Sequence, residues 1–198
     1  MFSSTPQEPF SLVKDQVFNL TKDLDSVAVG LGWKQRVTTG ADFDLDASAI
    51  PLGRNGKYYG GLWFVYFKNQ SSPGGLIESE GDDLTGSTGD GDDETINIQL
   101  SKLPADMTSI VLPVSIYDAE SRRQTFGQVG KAHCRIIDKR DDRELVRYDL
   151  AEEFSTETAV VFAELFRDTH GGWSFRALGR GYTGNLAGVC RDYGIAVG

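Results

Sequence analysis

Carboxylates crowd two short stretches of this chain. The first is Asp42-Phe43-Asp44-Leu45-Asp46, and the second runs from Gly81 to Glu94 through Asp82, Asp83, Asp90, Asp92 and Asp93. Residues 78–94 carry eight carboxylates and no Lys or Arg. Like charges at this density repel unless they face water or a cation neutralises them. Calcium suits the pattern, because it takes roughly six to eight oxygen ligands in a flexible arrangement that acidic side chains and loop carbonyls supply together. Gly86, Gly89 and Gly91 permit the tight curvature around such an ion. Magnesium demands stricter octahedral geometry, and transition metals recruit His or Cys, which these stretches lack. The candidate metal ligands are therefore Asp42, Asp44, Asp46, Asp82, Asp83, Asp90, Asp92, Asp93 and Glu94. Nine acids exceed what one ion needs, so the expectation is two calcium ions, or one ion with supporting acids around it.

The Asp-x-Asp-x-Asp opening is not an EF-hand. Ala47 stands where that loop requires Gly, and Gly53 where it requires a bidentate Glu. A bland alternative is an acidic surface that binds no metal. Catalysis has thin support: Ser48, Ser72 and Thr85 are hydroxyls without an identifiable base, and the acids are bunched rather than spread across a cleft as a glycosidase would need. Asp118, Glu120, Arg122, Arg123 and Gln124 form a second polar cluster, read as an ion-paired turn, a support for the metal loop or a partner contact.

The elements that position these residues read as strands. Asp42–Ile50 alternates acid and apolar residue, which puts Asp42, Asp44 and Asp46 on one face and Phe43 and Leu45 in the core. Thr95–Leu100 alternates likewise, with Ile96, Ile98 and Leu100 inward. Further strands are expected at Gln16–Leu20, Val27–Trp33, Leu62–Phe67, Leu76-Ile77, Ser109–Tyr117, Ala132–Ile137, Glu144–Tyr148, 158–166 and Trp173–Leu178. Pro113 argues for an edge or a bulge in its strand. Turns are expected at residues 53–61, at Asn69–Gly75 and at Gly179–Tyr182, and a short helical turn at Leu186–Asp192. Many short strands, 23 glycines and little helical periodicity predict an all-β, two-sheet β-sandwich with short helical turns. It forms one domain, residues 11–198, after a loose tail of residues 1–10.

Composition narrows the partners. A net charge of -9 makes nucleic acid a poor partner and a cation or a basic protein surface a compatible one. No apolar run approaches the roughly 18 residues of a membrane span, and no secretory leader is apparent. Cys134 and Cys190 have neither disulfide-framework nor zinc-site spacing, which favours the cytoplasm.

Five motifs point to a known family: Val29-Gly30-Leu31-Gly32-Trp33, Asp42–Ala49, Gly81-Asp82-Asp83-Leu84-Thr85-Gly86, Gly91-Asp92-Asp93-Glu94 and Gln124–Val129. In this order they resemble the TerD family of tellurium-resistance and general-stress proteins, over Leu12–Val197. The resemblance implies a calcium-binding β-sandwich with sites in the two acidic segments. It also implies a cytoplasmic, non-catalytic role in tellurite resistance and related chemical or phage stress, as a scaffold or binding module among other proteins of a stress-response complex. Two further readings stay open: a calcium-supported hydrolase or tellurite-handling enzyme, and cyclic-nucleotide binding, described for some members. The tail Met1–Pro9 and Asp83, where the family often has Asn, depart from the pattern without removing an oxygen donor.

Overall fold

The structure, a computed structural model, describes residues 8–35, 43–81, 91–151 and 154–197. Asp42, Asp82, Asp83 and Asp90 lie outside the described residues, as does Thr85. Two six-stranded sheets face each other. In the first, β1 (Phe10–Leu12), β10 (Arg143–Asp149), β9 (Val129–Asp138), β3 (Val27–Gln35), β7 (Glu94–Ile98) and β6 (Ile77–Ser79) lie side by side in that order. The second runs β2 (Val17–Asn19), β12 (Trp173–Tyr182), β11 (Ala159–Arg167), β8 (Met107–Ile116) and β4 (Leu45–Ala47), with β5 (Ile50–Gly53) also on β8. All pairings are antiparallel except β1 with β10.

Period-2 alternation builds the core as expected. Ile96 and Ile98 on β7, Val27, Val29 and Leu31 on β3, and Cys134 and Ile136 on β9 all point between the sheets. Phe43, Leu45 and Ala47 are buried while Asp44 and Asp46 are half-buried, so the acid-apolar pattern sets the faces although the ladder covers Leu45–Ala47 alone. Cys134 and Cys190 are both buried free thiols.

The second sheet is covered on both faces. A further apolar cluster, with Ile50, Leu52, Phe64, Val111, Val161 and Val189, lies on its outer side. Helix α2 (Asn185–Asp192) and the segment around Phe64 close it over. Double coverage explains why Ser109–Ile116 is buried without a break.

Sequence and structure part at four places. Leu62–Phe67 is not a strand: it forms isolated bridges, Val65 with Ala49 and Tyr66 with Asn69. Its aromatics instead cover the second sheet, Phe64 and Tyr66 stacking at 4.4 Å and 13°. β-propensity measures fit to a half-buried pleated surface, and a covering loop exploits the same fit. Gly179–Tyr182 is no turn but the end of β12, paired with Ala159–Val161. Glycine is required at Gly181 because a Cβ there would stand 2.8 Å from the Phe154 ring and 2.5 Å from Glu157. Phe10–Leu12, expected to be tail and loop, is strand β1. Pro113 sits not at an edge but on interior β8, opposite a bulge: Val161 pairs with Pro113 and Ala163 with Leu112, leaving Phe162 as the extra residue. On the other side β4 and β5 part around Pro113, and Ser48 N–H donates to its carbonyl at 2.8 Å.

Phe162 thereby joins Ala163 on the inner face, 1% exposed, with its ring 6.4 Å from that of Phe126. Phe162→Ala should cost about 3–5 kcal/mol in urea unfolding with an unchanged m-value, because it removes a fully buried ring from between the sheets.

Candidate functional site

The end of the acidic stretch is built on two glycines of β3. Val27, Val29 and Leu31 face inward, which turns Gly30 and Gly32 to the outer face. The space a side chain would need there is already taken. A Cβ on Gly30 would lie 2.0 Å from Asp92 Oδ2; one on Gly32 would lie 2.3 Å from the His133 ring and 2.8 Å from the Gly91 carbonyl oxygen. Residues Gly91 and Asp92 thus rest directly on the strand. Arg135 Nε donates to both Asp92 oxygens, at 2.8 and 3.0 Å, and His133 Nε2 lies 3.2 Å from Oδ1. Arg135 Nη1 reaches on to Glu144 Oε2 at 2.7 Å. The Asp92 side chain is 9% exposed. Burial by itself would raise its pKa, but the hydrogen bonds from His133 and Arg135 prevail and hold the carboxyl below its ordinary value.

The next two acids point elsewhere, because the chain bends at Asp93 before β7 begins. Asp93 N–H donates to Leu31 O at 2.8 Å, and Asp93 Oδ2 accepts the Trp33 N–H at 2.7 Å. Glu94, 5% exposed, opens β7 and turns between the sheets, where its Oε2 accepts the Ala47 N–H of β4 at 3.2 Å. That bond ties β7 of the first sheet to β4, at the end of the second. Beside it is a cavity of about 140 Å³ lined by Asp46, Glu94, Gln70, Ser79, Gly81 and Phe67. The structure therefore brings Asp46 and Glu94 together. It sends Asp92 to the outer face of the first sheet and Asp93 to the Trp33 backbone. Asp44 is half-buried, and its carbonyl accepts Tyr117 N–H at 2.7 Å. Among the described residues no group of three or more His, Cys, Asp or Glu side chains is gathered closely enough to hold a metal.

That Tyr117 bond leads to the second polar cluster. Asp118 and Arg123, both left-handed (φ 50° and 54°), bracket the short helix α1 (Ala119–Arg122). Arg122 lies over the Tyr117 ring, 5.1 Å from its centre, and Ser121 Oγ donates to the Asp118 carboxylate. The segment is a self-bonded turn joined to the acidic strand through Tyr117 and Asp44. Neither described hydroxyl meets a base: Ser72 Oγ accepts the Ile77 N–H at 2.9 Å, and Ser48 is fully buried, its Oγ without a hydrogen-bond partner among the described residues.

Both the sequence and the fold have known counterparts. The TerD domain model matches residues 9–193. The chain belongs to the TerD family. Tellurium resistance protein TerD of Alcaligenes sp is 48% identical over 188 residues, covering 93% of this chain and 97% of that protein. General stress protein 16U of Bacillus subtilis (strain 168) is 44% identical over 192 residues, covering 95% and 98%. The crystal structure of a homologue of telluride resistance protein (TerD) from Streptomyces coelicolor A3(2) superposes with a TM-score of 0.65 at 25% identity, covering 83% of this chain and 94% of that one. No helix among the described residues of this TerD-family chain is long and apolar enough to cross a membrane.

Sequence reasoning missed His133 and Arg135, which lie more than forty positions beyond Asp92, and Glu144, which holds Arg135 in turn. The signal available was the Gly30-x-Gly32 pair inside an otherwise apolar strand, since glycine within a strand often marks close approach of another segment.

Two outcomes follow from this geometry. Gly30→Ala should destabilise by about 1–3 kcal/mol in urea unfolding, because the Asp92 carboxylate must be displaced. The Asp92 carboxyl has a lowered pKa in the folded state, so its stabilisation is complete above the unfolded value of about 3.9 and is lost as pH falls through the folded value. The stability gap between wild type and Asp92→Asn should accordingly be flat from about pH 5 to 8 and narrow below about pH 4.

Proposed function

We propose that this protein is a calcium-binding, non-catalytic module of a stress response that includes tellurite, acting in the cytoplasm through contacts with other proteins. The observation that carries this reading is the convergence of Asp46 and Glu94, one from each sheet, on a cavity with oxygen donors around it. Its donor chemistry fits a hard cation: two carboxylates with the Ser79 hydroxyl and the Gln70 amide, and no sulfur or imidazole. A bound calcium would supply the positive charge that this concentration of acids calls for. Asp46 and Glu94 would hold it from the two sheets, while Asp92 and Asp93 anchor the strand that presents Glu94. The stress role rests on family membership and on relatives such as General stress protein 16U of Bacillus subtilis. Buried free thiols at Cys134 and Cys190 suit a reducing compartment.

Thermal unfolding of metal-free protein tests the proposal. Calcium at about a hundred times its dissociation constant should raise the Tm by roughly 5–10 °C, and magnesium at the same concentration by less. The double variant Asp46→Asn, Glu94→Gln should lose most of that rise while remaining folded by circular dichroism. An unchanged wild-type Tm, with no heat of calcium binding by calorimetry, would sink the idea. So would an undiminished rise in the double variant, for the placement of the ion.

A further inference from the structure

A second cavity, of about 230 Å³, opens on the other side of the same strand segment: Asp93 lines it, whereas Glu94 lines the cation cavity. Its floor is apolar, made by half-buried Trp33 and Leu150 and buried Ala132. Its rim carries Lys34, Lys131 and Arg147. Three cations around one small cavity are unexpected in a chain of net charge -9. The two carboxylates in the lining have assigned work. Asp93 Oδ2 holds the Trp33 N–H, and Asp149 Oδ1 accepts Arg147 Nε at 2.8 Å.

Lys131 is the residue that structural needs explain least. The β3–β9 register passes from Gly32 opposite His133 to Lys34 opposite Gly130, so β9 carries one extra residue there. Lys131 lies in this bulge at φ 48°, a left-handed conformation that glycine adopts without strain and lysine does not. Its side chain is exposed and makes no hydrogen bond or ion pair with a described residue. Bulges re-aim side chains beside binding sites, and strained backbone persists where the surroundings over-determine it. A lysine held in the left-handed region, without a partner among the described residues and lining a cavity that Trp33 also lines, has the chemistry to hold an anion.

We propose that this cavity binds a small organic anion, with a flat apolar body against Trp33 and Leu150 and a phosphate or carboxylate held by Lys131, Lys34 and Arg147. The volume suits a single-ring acid. The larger opening beside it, about 700 Å³, shares Lys131, Ala132 and Leu150 and provides the way in. Charge-assisted bonds from the rim fix the anionic end, and the apolar floor distinguishes an organic anion from a bare one.

Quenching of tryptophan fluorescence and titration calorimetry, with phenyl phosphate, benzoate, inorganic phosphate and benzyl alcohol as probes, test this directly. Phenyl phosphate or benzoate should bind saturably, more tightly than inorganic phosphate, and benzyl alcohol should not saturate. Lys131→Gly is the informative variant, because glycine accepts the left-handed backbone while removing the cationic side chain. It should keep or raise the Tm and weaken binding by about tenfold or more, whereas Lys131→Arg should bind as wild type does. Lys139→Ala, far along β9 and beside Glu80, should change nothing. Absence of saturation by either organic anion up to about 10 mM would overturn the proposal. Equal affinity for inorganic phosphate, or undiminished affinity in Lys131→Gly, would overturn it as well.

Discussion

The seating of the Asp92 carboxylate on Gly30, under Arg135, is the constraint on which the rest of the site depends. A carboxylate this buried would cost several kcal/mol if left unpaired, so its position is dictated by where Arg135 and His133 can reach it. Arg135 is oriented in turn by Glu144 on the neighbouring strand β10. Between Asp92 and β7 the chain bends at Asp93, whose carboxylate holds the Trp33 N–H, and Glu94 then opens the strand facing between the sheets, on the side that Ile96 and Ile98 continue. Absence of side chains at Gly30 and Gly32 is what allows the strand to be approached so closely.

From this clamp two cavities of opposite character arise one residue apart. Glu94 and Asp46 give an acidic cavity between β7 of one sheet and β4 of the other, and the Glu94–Ala47 hydrogen bond holds those strands together. Asp93 lies in the wall of a cavity rimmed by lysines and an arginine. A cation in the first and an anion in the second would each act on the same short segment from opposite faces. Any displacement of residues 91–94 would reach both sites through the backbone, and Asp92 resists that displacement.

The second sheet provides the rigid half of the arrangement. Its central strand β8 is buried on both faces, by the first sheet within and by Phe64, Tyr66 and α2 without. β4, which carries Asp46, pairs with this buried strand from Leu45 to Ala47. The acid is therefore presented by one of the best-packed parts of the molecule.

Alternation was legible in the sequence wherever one strand face is buried and the other is not. It correctly sorted Phe43 and Leu45 from Asp44 and Asp46, and Ile96 and Ile98 from their neighbours, and with the turn residues it pointed to a two-sheet sandwich. The ordered acidic and glycine motifs identified the family. Local pattern failed where a residue's role is set by a surface it does not contain. The aromatics of Leu62–Phe67 read as a strand because they fit any pleated apolar surface, and only the assembled outer face of the second sheet made them a cover. Gly181 read as a turn until Phe154 occupied the space beside it. The carboxylates posed the same difficulty. Asp92, Asp93 and Glu94 are equivalent by composition, yet tertiary structure gives one to Arg135, one to a backbone amide and one to the space between the sheets. Charge density is a property of the chain; the partner of each charge depends on segments that meet only when both sheets have formed.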